Sequence, residues 1–558
     1  MMGTSDKKIN TMNTTFANML GFINGRIYYN LTNWYSTLKL LPGYNFNKGF
    51  MEGMMGVKDK AKESETIKPL SFKEKYLIAL PELLIGIYSI ISQFIKLNKS
   101  IAIFFKNLND SLDSANRIHF SKLNDHELIS VYKFLQSKLL SNWKTPIVND
   151  FFTMIFYGIL KKLVINWELD PKGNLQNDLL CGEGDIESTK PTKLLIEISN
   201  FIRTDLRIKS YILNHTDDEI YEELFIKNSS EFLNPFKIRV NQYLDLYGFR
   251  CINELKLEED SLKDNPRFIF GIIRNYLKKE EMNLKEMEEK EREKRYNAEK
   301  FVKDHLDQQK VLYVIKRSFI FNWILKNARL MVKNRENLRF GRTRVFGTVR
   351  EIMNALGNNF VRNGKIDHFK DIYFLTVDEI ISFCDGRAVT LNLKELIAIR
   401  KKEYFENQTL EPPERFFTYG SFYTSVKIVP KLPDPLKDLN LGPHFLKGVA
   451  CSPGLLKEKC KVILSPKDEI NLNGEILVTA RTDPGWVPIF PTIKGLLIEK
   501  GSILSHSAVV AREMGIPTIV GLTNVTKKIQ DNQVVVMDGS KGLVSLSGDI
   551  DEMIEVLI

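Results

Sequence analysis

Cysteine is scarce in this sequence. The five present, Cys181, Cys251, Cys384, Cys451 and Cys460, are scattered and odd in number, and no pair sits at metal-ligand spacing. A disulfide framework is therefore not expected, no metal is expected on the chain, and the thiols read as buried groups of a reduced compartment. The first twenty residues lack a basic stretch leading into an apolar run and a small-residue cleavage site, so no secretory signal is read there and the expected location is cytoplasmic. A membrane-spanning helix needs about 20 mostly apolar residues. The most apolar segment, Tyr76–Leu97, is interrupted by Pro81, Glu82 and Gln93, and Phe151–Trp167 by Lys161 and Lys162. Both read as buried bundle helices, and no membrane association is expected. The variant reading for Tyr76–Leu97 is a helix lying on a membrane surface. No Gly-rich phosphate loop of any kind occurs, so tight ATP binding by this chain alone is not expected. Apolar heptad positions are not sustained in the charged run Lys278–Lys300, which excludes a coiled coil there and leaves a solvated, salt-bridged helix.

What is present is ordinary for a globular chain of 558 residues: 43% hydrophobic and 27% charged. The net charge of +10 permits an anionic partner. No recognition motif accompanies it, so no nucleic acid is expected. Four stretches differ in pattern. Residues 1–20 read as a disordered tail. Residues 21–405 read as one large, mostly α-helical domain. Its opening, Asn24–Lys58, is strand-like and loop material. Apolar spacings of three and four run from Ser71 to Leu284, then through Val311–Met331 and Arg344–Leu356. Asp371–Leu375 reads as a short strand and Glu379–Phe383 as a helix. Residues 406–444 carry Pro412, Pro413, Pro430, Pro433, Pro435 and Pro443 and read as an extended linker. In residues 445–558 the runs GEILVTA, GLLIE, TIVG, QVVVMD and LVSL are short strands bounded by Gly, Pro and Asp, which makes this part a compact α/β domain.

Gly501–Gly521 reads GSILSHSAVVAREMGIPTIVG. Ser505 can cap a helix that begins at His506. Gly515 suits the left-handed position after that helix, and Pro517 forbids its continuation. His506 then sits at a helix N-terminus, where free N–H groups and the macrodipole favour an anion. A neutral imidazole is nucleophilic near pH 7 and can form a covalent phospho-intermediate. The bland alternative is a polar contact at a helix start.

This stretch resembles the phosphohistidine motif of the phosphoenolpyruvate-utilising enzymes: phosphoenolpyruvate synthase, pyruvate phosphate dikinase and rifampicin phosphotransferase. TARTDPGWVPIF (Thr479–Phe490) resembles the segment before that motif, and GVACSPG (Gly448–Gly454) the opening of the same domain. Ser502 stands where the family usually has a second Gly. GRIYYNLTNWY (Gly25–Tyr35), YGFRCINEL (Tyr247–Leu255) and ARLMVKNRENLRFGRTRVFG (Ala328–Gly347) resemble the helical substrate domain of rifampicin phosphotransferase-like proteins. The resemblance implies that residues 445–558 are a swivelling domain that carries a phosphoryl group on His506, with Gly501, Ser505 and Ser507 as phosphate-binding or capping candidates. It implies an acceptor held in the helical domain.

Arg335, Arg339, Arg342 and Arg344 present planar forks suited to phosphate or carboxylate and are candidates for the cleft. The alternative is that they pair with Glu336 and Glu351. Arg250 and Glu254 are further cleft candidates, with buried pairing between helices as the alternative. The ATP-grasp domain and the pyruvate-binding barrel of full-length relatives are not found. ATP and Mg²⁺ are therefore expected through a separate ATP-grasp partner chain. The competing reading is a non-catalytic binding or regulatory subunit that retains the fold.

Overall fold

The computed structural model describes residues 15, 18–39, 48, 51–52, 80–170, 175–181, 187–279, 284–306, 310–311, 315–410, 416–418, 426–428, 444–464, 472–502 and 505–549. The six linker prolines, most of 1–20 and residues 76–79 lie outside them. The chain is multidomain: mostly helical up to residue 409, with a mixed sheet between residues 445 and 545. Contacts divide it into two compact units. One comprises residues 1–52, 57–148 and 351–439, the other residues 53–56, 149–350 and 440–558.

In the first unit a hairpin pairs Leu20–Ile23 with Arg26–Tyr29. Asn24 and Gly25 both have positive φ, 48° and 70°, the demand of a tight two-residue turn. The strand-like reading of Asn24–Lys58 fails beyond this hairpin. Leu31–Lys39 is a helix, started where the Asn30 side chain accepts the Asn33 N–H. Leu80–Asn116 is a helix of 37 residues. Among the described residues no helix is long and apolar enough to cross a membrane. Asp371–Leu375 is not a strand. Phe369–Phe374 forms a 3-10 turn, because the His368 side chain accepts the Lys370 N–H and the Asp371 side chain accepts the His368 N–H. Val377–Cys384 is a helix, as the sequence predicts.

In the second unit the described residues between 149 and 306 are helices and turns. Lys144–Asn166, which enters this unit at Asn149, buries Phe152, Phe156, Tyr157, Leu160 and Val164, so this apolar segment is a bundle helix. A second core gathers Leu195, Ile202, Ile212, Phe236, Tyr243, Phe270 and Tyr276 from successive helices. The two helices expected at Val311–Met331 and Arg344–Leu356 are one helix, α1, Arg317–Arg362. No proline interrupts it, and at Gly347 the absence of a side chain lets Phe249 pack close; a Cβ there would lie 2.7 Å from Phe249 Cβ. Val311 instead pairs with Ile315 in a two-residue ladder.

The C-terminal sheet has β1 (Phe445–Lys447), β2 (Val449–Ser452), β3 (Leu455–Val462), β4 (Ile476–Thr479), β5 (Gly495–Ile498), β6 (Thr518–Val520), β7 (Val534–Asp538) and β8 (Leu543–Ser545). Its spatial order is β1-β8-β7-β3-β4-β5-β6-β2. The pairs β3–β4, β4–β5 and β5–β6 are parallel, and the rest are antiparallel. Every residue of β4 and β5 is buried, as central parallel strands covered on both faces require. Alternation splits them between two cores. Leu477, Leu496 and Ile498 pack with Trp486, Phe490 and Val510 on one face, and Ile476, Val478 and Leu497 with Val525, Ile529 and Val535 on the other. A helix, α2 (His506–Glu513), lies on the first face.

Candidate active site

The helix α2 starts as its sequence dictates. Ser505 has extended backbone, and its hydroxyl accepts the N–H of Ala508 at 3.4 Å. Gly515 ends the helix with φ of 65°, a conformation that costs glycine little. All eight residues of α2 are buried, so the His506 side chain is held in a packed surface rather than on a free loop. The Ser507 hydroxyl pairs with that of Thr482. Gly501 lies against β6, where a Cβ would approach Val520 Cβ to 3.3 Å.

His506 meets the helical body at one carboxylate. Its Nδ1 is 2.5 Å from Glu336 Oε2, on α1. The Glu336 side chain is fully buried. Burial alone would raise its carboxyl, but the charge and hydrogen bond of His506, with Arg339 and Arg335 behind them, outweigh it and hold the group down at about 2. Glu336 is therefore an anion in the folded protein. It accepts a hydrogen bond from Nδ1–H, which fixes the tautomer. The other ring nitrogen, Nε2, is buried and has no hydrogen-bond partner among the described residues. In the neutral form of the ring, with Nδ1–H donated to Glu336, the lone pair is on Nε2. A buried polar atom without a partner costs free energy and calls for a reason.

The four-arginine run is split by the helix. At about 100° per residue, Arg335, Arg339 and Arg342 fall on one side of α1, and Arg344 on the opposite side. Arg335 is buried, and its Nη1 pairs with Asp150 Oδ1 at 2.5 Å. Burial and the like charge of Arg339 lower its pKa. Arg339 Nη1 stands 3.6 Å from Glu336 Oε1 and is partly exposed. The arrangement thus places two guanidinium groups about the carboxylate that holds the imidazole. Arg342 and Arg344 are both half-buried.

Arg250 and Glu254 do not line an open cleft. They form an ion pair at 2.7 Å with both side chains 2% exposed. Glu254 Oε2 also accepts the Thr343 hydroxyl at 2.8 Å. Arg250 Nη2 donates to the Pro484 carbonyl. The sequence reading treated Glu336 as an ordinary partner for arginine and missed its contact with the histidine. A lone acid between Arg335 and Arg339 was the available signal. Asp483 was also missed. Its Oδ1 accepts the Gly485 N–H and its Oδ2 the Asn253 N–H, each at 2.7 Å.

Residues 471–542 match the model of the PEP-utilising enzyme mobile domain. The C-terminal domain is similar to the mobile domain of the PEP-utilising enzymes. Residues 150–336 match the rifampicin phosphotransferase fourth domain. His506 thus lies inside one matched span, and Glu336 is the last residue of the other. Rifampicin phosphotransferase of Bacillus cereus is 29% identical over 364 residues, covering 63% of this chain and 39% of that protein. The Bacillus subtilis enzyme of the same name is 28% identical over the same length and coverage. A probable phosphoenolpyruvate synthase of Methanothermobacter thermautotrophicus is 42% identical over 102 residues, 18% of this chain and 15% of that protein. The stretch matched is well under half the length of these relatives. The PEP-utilising resemblance read from the sequence therefore holds, and the chain's relatives are phosphotransferases.

Proposed function

We propose that this chain is a phosphotransferase component that carries a phosphoryl group on Nε2 of His506. The group comes from ATP held with Mg²⁺ on a separate ATP-grasp chain and passes to an acceptor held by the helical body. The observation that carries this reading is the buried Nε2, without a partner among the described residues, opposite a nitrogen hydrogen-bonded to an ionised Glu336. In the first step the Nε2 lone pair attacks phosphorus. An N–P bond forms while the donor P–O bond breaks, and the leaving oxygen keeps its electron pair. The ring becomes formally cationic, and Glu336 stabilises the Nδ1–H. In the second step an acceptor oxygen attacks phosphorus, and the N–P electron pair returns to Nε2. The helix N-terminus favours the phosphate on the ring. Arg339 and Arg335 offset the repulsion between that phosphate and Glu336.

The test is incubation of the chain with ATP, Mg²⁺ and an ATP-grasp protein. A label that is acid-labile, base-stable and absent from His506→Ala is expected. A label unchanged in that variant overturns the assignment. The second reading, a binding or regulatory subunit, has no observation in its favour that the buried histidine–carboxylate pair does not equally explain.

A further inference from the structure

We propose that Asp483–Pro491 is a docking strip that registers the mobile domain on the helical body, and that Arg250, Tyr276 and Lys279 are the positioning residues that read it. The proposal deepens the carrier reading of His506, because a carrier must arrive at its acceptor side in one register.

The strip begins at Asp483 and continues as a 3-10 helix, Pro484–Thr492, containing Pro488 and Pro491. A 3-10 helix joins each N–H to the carbonyl three residues back. Proline has no N–H, so Pro491 leaves the Pro488 carbonyl without its helical donor. The carbonyl of Pro491 is also free of the helix, because the Lys494 N–H turns to Glu475 O. Buried carbonyls need donors from elsewhere. The helical body supplies them. The Tyr276 hydroxyl donates to Pro488 O, Lys279 Nζ to Pro491 O at 3.0 Å, and Arg250 Nη2 to Pro484 O. The three acceptors are all proline carbonyls.

The near end of the strip is fixed twice more. Asp483 takes the Asn253 N–H with one oxygen and caps the strip's own Gly485 N–H with the other. Gly485 allows the close approach this needs, since a Cβ there would lie 2.7 Å from the Cys251 carbonyl. Tyr276 and Lys279 sit at the end of one helix, Arg267–Lys278, and just past it, and Arg250 and Asn253 lie in the turns before it. One compact stretch of the helical body therefore reads three points along the strip. The strip packs through Trp486, Val487 and Phe490 into the same core as Ala508, Val510 and Ala511 of α2. A shift of the strip thus moves His506 relative to Glu336.

The experiment uses the full chain with nitrogen-labelled histidine. In the docked protein the Nδ1–H shared with Glu336 gives a downfield proton resonance, assigned by its loss in His506→Asn. Tyr276→Phe keeps the ring in its core and removes only the hydroxyl, and Lys279→Met removes the second donor. The double variant is expected to lose most of this resonance. Hydrogen exchange over residues 484–492 and 506–513 should rise about tenfold, the scale of one hydrogen bond's net contribution. Lys279→Arg should retain the resonance. An unchanged resonance and unchanged exchange in the folded double variant overturn the proposal. These readouts need no phosphoryl donor, so the docking claim fails or stands apart from the carrier reading.

Discussion

Glu336 and His506 are 170 residues apart in sequence and 2.5 Å apart in space, carboxylate to Nδ1, with the carboxylate fully buried. This contact couples the helical body to the histidine of the C-terminal domain, and it leaves Nε2 as the ring nitrogen not engaged by the carboxylate.

Replacing Glu336 by Gln keeps the shape and a hydrogen-bonding carbonyl but removes the charge. The imidazole tautomer is then held less firmly and the cationic phospho-ring loses its counter-ion. Removing such an orienting partner typically costs about 10–100-fold. We expect discharge of the phosphohistidine to an acceptor to slow by that factor, measured in a single turnover. A rate within twofold of the parent would show that Glu336 is not the orienting group.

Two carboxylates should shape stability against pH in opposite directions. Glu336 is held at about 2 against an ordinary 4.5. Its contribution is present above 4.5 and is lost as pH falls toward 2. Asp483 is pushed up to about 6 from 3.8, first by burial and then by the negative charge of Glu254. Its contribution is present below 3.8 and is lost as pH rises through 6. Denaturant midpoints measured from pH 3 upward should therefore fall less on acidification in Glu336→Gln. They should fall less between pH 4 and 6 on alkalinisation in Asp483→Asn. Parallel curves for parent and variants would contradict both assignments.

Arg250 and Glu254 serve stability and seam rather than an open cleft. Breaking one member of a buried ion pair leaves the other uncompensated and costs roughly 3–5 kcal/mol. Glu254→Gln and Arg250→Met singly should lower the unfolding free energy on that scale, and the double variant should recover part of the loss. A substrate role without structural cost would show instead as unaltered melting.

Ser505→Ala removes the hydroxyl that accepts the Ala508 N–H. Loss of an N-cap costs about 1 kcal/mol. The first turn of α2 should fray, read as faster amide exchange at Ala508 and Val509, while the sheet's protection is unchanged. Exchange at those two amides equal to the parent's would show that the cap is inert.

The parts of this protein legible in its sequence were those specified locally. Ile476–Thr479, Gly495–Ile498 and Val534–Asp538 announce themselves by short aliphatic runs between Gly, Pro and Asp. The helix at His506 is bracketed by its own cap and stop residues, Ser505, Gly515 and Pro517. The parts that escaped are set by partners distant in the chain. Glu336 sits in KNRENLR, where a single acid among bases looks like an exposed helix pair; only folding brings His506 to it. Asp371–Leu375 has an aromatic, aliphatic composition suited to a strand, but His368 and Asp371 cap it into a turn. Arg317–Arg362 looked like two helices because its polar middle breaks the apolar spacing, though nothing there breaks a backbone. The strip at Asp483–Pro491 was visible as a motif. Its donors, Arg250, Tyr276 and Lys279, were not, because proline reveals which carbonyls are freed and not what will fill them.

The most direct test of the account is the identity of the phosphorylated nitrogen. The chain is treated with phosphoramidate, a small donor that phosphorylates histidine without a partner enzyme, and the product is mapped by mass spectrometry and by nitrogen–phosphorus coupling. The account predicts phosphate on Nε2 of His506, stable in base, lost in mild acid and absent from His506→Ala. Phosphate on Nδ1 of His506, or on other histidines with His506 untouched, would contradict it.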